Sequence, residues 1–385
     1  MRYSIPFIVY ELIKKGSSKM RRTKYISLIM TENCNLQCTY CYEHFKSSKM
    51  MDFSLAKTII ENELTSDDDF EVVAFDFFGG EPFLAFETIR KLVDYFKSKK
   101  FKKDFRFSAS TNGTIMPNEI KNWLLENRDI FTVSLSFDGT KEMQDTNRSN
   151  SYDKIDTHFF AKELNNGVGL KMTVSQATLH SLADGVIYCH NLGFCHIACT
   201  LACGINWDDK SNYDVLKREL NKLIDFYVSH PEIKPCSLMD YHIENVALPI
   251  NGYAQKYCGA GTRLKVYDTN GEAHPCQYFL HLAIGDKVLN TKEIVFTDSF
   301  KIENMDPKCQ TCVAVNVCPS CYGSNFEITG DIHRRDESFC EMQKITILAN
   351  SFLKAKLWEI GALKLDEQQE AALLKSIMII QDAFI

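Results

Sequence analysis

Over roughly the first 230 residues, short apolar runs alternate with stretches whose apolar positions recur every three to four residues. YISLIMT (25–31), VVAFDFF (72–78), FRFSAST (105–111), FTVSLSF (131–137), LKMTVSQ (170–176) and CHIACTLAC (195–203) read as strands. Helical patterning follows each of them, over 54–64, 87–99, 117–127, near 152–165, 181–192 and 213–228. Pro117 suits the first turn of the third helix, where its missing N–H costs nothing. Apolar strands between period-3.6 helices predict a parallel sheet covered on both faces. Six βα units predict an α/β fold, a partial (β/α)6 TIM-like barrel short of the closed eight. In such a sheet the chemistry sits at the C-terminal ends of the strands.

The alternation stops near residue 230, where Gly-containing turns and short strands take over. The pattern predicts four regions: an N-terminal leader segment over 1–24, the barrel over 25–235, a small cysteine-rich domain over 250–345, and a helical tail over 346–385. The basic run Lys14, Lys15, Lys19, Arg21, Arg22 and Lys24 reads as a solvated leader into the first strand. About 24 residues before that strand are too few for a separate peptide-binding module. MRYSIPFIVYELIKK lacks a cleavage pattern and is not read as a signal peptide.

Charge narrows the partners. A formal net charge of −6 leaves no dominant polycationic surface, so no nucleic-acid partner is expected. No stretch approaches the roughly 18 unbroken apolar residues of a membrane span, so no membrane partner is expected either.

The 15 cysteines change the picture most. Their clustering at short spacings in a long chain with an ample apolar core favours metal ligation over disulfides, hence a reducing, cytoplasmic location. Cys34, Cys38 and Cys41 follow directly on the first strand as C-x3-C-x2-C. Three thiolates leave one coordination position of a metal centre open. His44 offers a fourth ligand, and spacing alone leaves zinc and iron–sulfur equally open.

The remaining strand ends break that tie. CNLQCTYC resembles the signature of the radical SAM superfamily, with aromatic Tyr40 before the third cysteine. GGEP (79–82), STNGT (110–114) and SLSFDGTKEMQDTNR (134–148) end strands two, three and four, and each resembles a motif of that superfamily. The resemblance implies a [4Fe–4S] cluster on Cys34, Cys38 and Cys41, whose unliganded iron takes S-adenosyl-L-methionine (SAM). One-electron reduction then cleaves the sulfonium, and the resulting 5′-deoxyadenosyl radical takes a hydrogen atom from substrate. It further implies that Tyr40 and Leu201 contact the adenine. Gly80 and Glu81 would hold the methionyl part, and Ser136 and Arg148 its amino and carboxylate end.

A second cysteine group, Cys258-x12-Gly271-x4-Cys276 followed by Cys309-x2-Cys312-x5-Cys318-x2-Cys321 and Cys340, resembles the SPASM domain. The rival is a zinc ribbon. Gly271 in DTNGE suits a hairpin turn with positive φ. The resemblance implies two auxiliary [4Fe–4S] clusters, one on Cys309, Cys312, Cys318 and Cys340, the other on Cys258, Cys276 and Cys321, for three clusters in all. Some relatives carry an eighth cysteine shortly after the first; CGAGTRLKV has none, which leaves a possible open iron.

Cys195, Cys199 and Cys203 are four apart on the predicted sixth strand and would share a face. They could ligate a metal or accept a radical, although packing is the more ordinary role. Cys189 and Cys236 read as core.

SPASM-bearing relatives modify peptides or proteins. The implied activity is an oxidoreductase maturase acting on a ribosomally synthesised precursor peptide through C–H activation, giving a thioether, a carbon–carbon crosslink or an epimerised centre. A flavodoxin or ferredoxin donor and a separate leader-binding protein are the implied partners. The alternative is an anaerobic sulfatase maturase, but Gln277 stands where those enzymes place a catalytic Asp, and a neutral amide is no base. Glu272 or His274 would have to substitute, and no catalytic residue is assigned. A multi-cluster electron-transfer protein is the alternative outside the enzymes.

Overall fold

The structure is a computed structural model describing residues 21–164, 168–248, 253–255, 258–297 and 299–385. Most of the predicted leader segment, with Lys14, Lys15 and Lys19, lies outside the described residues. The barrel strands are β1 (Thr23–Thr31), β2 (Val72–Gly79), β3 (Asp104–Thr111), β4 (Phe131–Ser136), β5 (Gly169–Val174) and β6 (Ile197–Leu201). They pair in parallel in sequence order, so the sheet is the predicted partial barrel. The helices between them are α1 (Phe53–Thr65), α2 (Phe86–Lys97), α3 (Asn118–Glu126), α4 (Lys141–Asn147), α5 (Leu182–Leu192) and α6 (Lys210–Ser229). They form where amphipathic spacing lets one stripe cover the sheet. In α2, Phe86, Ile89, Leu92, Val93 and Phe96 are buried in the core, each worth about 1.5–3 kcal/mol of transfer free energy.

Burial differs along the sheet. β1 and β2 are buried almost throughout, as the continuous apolar runs predict. β4, β5 and β6 instead alternate. Their half-buried positions, including Ser136, Lys171, Thr173, Ala198 and Thr200, line an interior cavity. The lumen on this side is thus polar and roomy rather than filled with branched side chains.

Two expectations need correction here. No single helix covers 152–165. The fourth crossover begins earlier, with α4, and continues through a 3-10 turn at Tyr152–Lys154 and a π turn at Phe159–Glu163. Thr140 caps α4, accepting from the Met143 amide at 3.4 Å. Ser149 and Asn150 then take left-handed φ of 56° and 50°, at a cost of about 1–2 kcal/mol each, and the helix cannot continue. The second correction concerns Lys24. It does not sit in a solvated leader but is buried in β1, 2.5 Å from both Glu63 and Asp68.

Beyond α6, β8 (Leu264–Tyr267) adds to the open edge of β1 in parallel, and β9 (Ala273–His274) closes a hairpin onto it. The hairpin turn uses Gly271 at φ +86°. β7 (Tyr253–Gln255) and β10 (Ser299–Lys301) form a separate antiparallel ribbon. The chain ends in α7 (Tyr322–Thr329), α8 (Cys340–Glu359) and α9 (Glu367–Phe384). Asn350 of α8 anchors the connecting segment, donating to the Leu238 carbonyl at 2.9 Å and accepting from the Tyr241 amide at 2.8 Å.

Candidate active site and cysteine-lined cavities

Cys34, Cys38 and Cys41 lie on the loop that follows β1, and three neighbouring strand ends hold that loop. From β2, the Gly80 amide donates to the Thr31 carbonyl at 3.0 Å and the Glu81 amide to the Asn33 carbonyl at 2.9 Å. The approach is close enough that a Cβ on Gly80 would meet the Asn33 carbonyl oxygen at 2.3 Å and the Cys34 Cβ at 3.0 Å. From β3, Asn112 donates to the Asn35 side chain at 2.8 Å, and Asn35 donates to Thr114 at 2.8 Å. From the loop after β4, Ser149 Oγ accepts from the Gln37 amide at 2.8 Å and the Asn147 carbonyl from the Thr39 amide at 2.9 Å. The left-handed turn at Ser149 therefore has a partner in the cysteine loop.

Asp138, just past β4, is the hub beneath. It is fully buried. It accepts from Tyr40 Oη at 2.6 Å, the Thr173 amide at 2.9 Å and Asn147 at 3.1 Å. Arg148 Nε lies 3.1 Å from it. Arg148 also reaches Cys38 Sγ at 3.9 Å and lies over the Tyr40 ring, 5.2 Å from its centroid. Burial works against its charge, but Asp138 outweighs this and the guanidinium stays protonated.

These residues open on one cavity of about 310 Å³. Its lining includes all three cysteines and each residue predicted to touch SAM: Tyr40, Gly80, Glu81, Ser136, Arg148 and Leu201. Burial pushes the Cys34 thiol up to about 11, against the Leu36 amide and Lys46. Burial also raises Cys38, opposed by Arg148. The Glu81 carboxyl is pushed up to about 7 by burial, opposed by hydrogen bonds from the Asn112 amide, Thr111 and the Phe83 amide. His44, the fourth ligand that a zinc reading needs, does not line the cavity. Its side chain is 56% exposed and faces Glu327 at 3.8 Å.

Sequence reasoning missed several lining residues. Lys46 follows the cysteines. Lys171 of β5 donates to Ser110 at 2.5 Å, and burial pushes its ammonium down against the pull of Asp76. Glu43 is buried with an oxygen that has no hydrogen-bond partner, and burial pushes its carboxyl up to about 8 against Lys46. The alternation of β5 could have flagged Lys171, since a Lys among apolar strand positions must face a polar lumen.

Cys258, Cys276 and Cys321 line the same cavity. Tyr42, beside Cys41, stacks on Tyr278, with ring centroids 4.5 Å apart, and both rings line the cavity. Cys309, Cys312, Cys318 and Cys340 line a second cavity of about 180 Å³, to which Cys321 also contributes. Gln277 lines the large cavity and donates to Ser27 at 3.0 Å. Glu272 and His274 do not line it.

The three late barrel cysteines do not share a strand face. Cys195 precedes β6 and is exposed, Cys199 is buried within it, and Cys203 lies two residues past its end. A five-residue strand is too short to carry all three. Cys189 and Cys236 are buried in the main apolar core.

Comparisons with known proteins agree with this geometry. A family profile described as a 4Fe-4S single cluster domain matches residues 21–155. The chain is 32% identical over 171 residues to the uncharacterized protein MJ0907 of Methanocaldococcus jannaschii, covering 43% of this chain and 58% of that one. It is 32% identical over 142 residues to a cysteine-type anaerobic sulfatase-maturating enzyme of Clostridium novyi, covering 33% and 37%. The matches thus span well under two thirds of those relatives. The radical SAM cyclopropyl synthase TigE of Paramaledivibacter caminithermalis is 23% identical over 84% of this chain and 73% of its own. Among solved structures, anSMEcpe with bound AdoMet and Cp18Cys peptide superposes with a TM-score of 0.66 at 19% identity, covering 88% of this chain and 99% of that one. Streptococcus suis SuiB bound to precursor peptide SuiA gives 0.55 at 15%, covering 86% and 78%. Four strand-end motifs thus converge on one thiol-lined cavity, residues 21–155 match the 4Fe-4S single cluster domain, and the chain is similar to proteins that include anaerobic sulfatase-maturating enzymes and a radical SAM cyclopropyl synthase.

Proposed function

We propose that this chain is a radical SAM peptide maturase that activates a C–H bond of a ribosomally made peptide, forming a thioether, a carbon–carbon crosslink or an epimerised centre. The observation that carries this reading is the shared cavity, lined by Cys34, Cys38 and Cys41 with the strand-end residues and by Cys258, Cys276 and Cys321 as well. The donor set fits a three-thiolate cluster site, since three soft thiols line one cavity that His44 does not line. When bound, the cluster and SAM supply one-electron cleavage of a sulfonium C–S bond and hydrogen-atom abstraction.

The chain's own residues bind, orient and exclude. Gly80 keeps the cysteine loop seated against β2. Glu81 is set to accept from the SAM ammonium, and Ser136 and Arg148 to hold its carboxylate end. Tyr40, fixed by Asp138, and Leu201 supply the adenine surface. Lys46 and Arg148 offset the negative charge that three deprotonated thiols concentrate in a buried space. The region over 250–345 would hold the two auxiliary clusters, with Cys309, Cys312, Cys318 and Cys340 on one and Cys258, Cys276 and Cys321 on the other. A flavodoxin or ferredoxin is the proposed donor, and a separate leader-binding protein the proposed partner for substrate delivery.

Formylglycine formation is the second reading, favoured by the likeness to the Clostridium novyi protein. Against it, Gln277 occupies the position of the expected base and is hydrogen-bonded to Ser27.

The test is anaerobic incubation of reconstituted protein with dithionite and SAM, assaying 5′-deoxyadenosine by mass spectrometry beside a Cys34→Ala/Cys38→Ala/Cys41→Ala variant. Product in the parent alone is expected, and candidate precursor peptides should then change mass. Zinc in place of iron, or iron without SAM cleavage even with peptide present, overturns the reading and favours a scaffold or an electron carrier.

A further inference from the structure

We propose that Cys203, contributed by the barrel, is the fourth protein ligand of the auxiliary cluster on Cys258, Cys276 and Cys321. This rests on the reading of those three cysteines as cluster ligands. They leave one coordination position, and the segment from Gly259 to Val266 that follows Cys258 contains no cysteine to fill it.

Two observations direct Cys203 there. First, it lines the large cavity with Cys258, Cys276 and Cys321, and packs with them in one apolar cluster around Tyr278 and Phe279. Second, the other candidates are occupied or misplaced. Cys203 also borders the second cavity, but that cavity has its own four thiols in Cys309, Cys312, Cys318 and Cys340. Cys195 is exposed, and Cys199 lies inside the core beside Cys236.

The backbone around Cys203 is built to hold it. Ala202 before it accepts from the fully buried Trp207 indole at 2.9 Å. Gly204 after it takes φ +74°, so the chain turns sharply just past the thiol. Ligation replaces the S–H bond by S–Fe and releases one proton to solvent. Fully liganded, this cluster has no iron available for a substrate thiolate. Its role is then to relay electrons and to tie the C-terminal region to the end of β6.

The experiment uses full-length protein carrying Cys34→Ala/Cys38→Ala/Cys41→Ala, so that only the auxiliary clusters remain, at about eight irons per chain. Iron and zinc are counted, and the dithionite-reduced protein is probed with ¹³C-cyanide by pulsed EPR. The expected result is no ¹³C coupling in this parent, and a strong coupling on adding Cys203→Ala with most iron retained. Cys203→Ser should shift the g values without admitting cyanide, and it carries the comparison should the alanine variant fold poorly. Cys195→Ala should match the parent. Cyanide binding in the parent, or spectra unchanged in both Cys203 variants, overturns the proposal while leaving the cluster reading intact. A parent holding zinc or no iron overturns both.

Discussion

The two thiol-bearing walls of the large cavity are built in opposite ways. Cys34, Cys38 and Cys41 sit within eight residues on one loop, pinned by β2, β3 and the segment after β4. Cys258, Cys276 and Cys321 come from separate segments of the C-terminal region. Bringing distant segments together costs loop-closure entropy, whereas a short loop costs little. The loop of Cys34, Cys38 and Cys41 is therefore held by hydrogen bonds of its own. In the second wall, metal binding would itself crosslink the fold.

Five variants would break or sharpen this contrast. The largest effect is expected from Asp138→Ala. It strips the buried Arg148 of its counter-charge and Tyr40, Asn147 and the Thr173 amide of their acceptor. A loss of about 3–5 kcal/mol is expected in chemical denaturation. A loss below about 1 kcal/mol would mean that the first wall does not depend on this hub.

Next comes Cys258→Ala/Cys276→Ala/Cys321→Ala. Removing a long-range crosslink should cost about 3 kcal/mol, so anaerobic calorimetry should show a melting temperature on the order of 10 °C lower. Cys34→Ala/Cys38→Ala/Cys41→Ala should move it by a few degrees at most. Equal shifts would erase the distinction between the walls.

Gly80→Ala is the sharper test of the first wall, because the added Cβ meets backbone rather than a movable side chain. Overpacking should cost about 1–3 kcal/mol. Iron should fall by about four per chain, with the remainder unchanged; uniform iron loss would contradict a local seat for the loop. The smallest effect belongs to Asn35→Ala, which deletes two hydrogen bonds to the β3 end. About 1 kcal/mol is expected, read as faster iron release to a chelator from the first site alone.

The same contrast explains what could be read in advance. Periodicity located six strands and most helices, because each buries a stripe that repeats along the chain. It failed at 152–165, where Ser149 and Asn150 turn left-handed to meet the cysteine loop, a contact made with residues more than 100 positions away. It also overstated how completely β4 to β6 are buried, since their alternate positions face a lumen.

Local chemistry followed the same rule. The first three cysteines and the GGEP and STNGT runs were legible as motifs because short spacing holds their side chains near one another in any fold of the loop. Asp138 stood inside a recognised run, yet its role emerges only when β4, β5 and the Tyr40 loop meet around it. Lys171 became a cavity residue through the strand order, and Cys203 reached Cys258, Cys276 and Cys321 through the packing of the C-terminal region on the barrel mouth. Neighbours in sequence are constrained by covalent geometry and local hydrogen bonds. Thiols on separate segments meet only when burial of the intervening core brings those segments together, and no spacing along the chain records that.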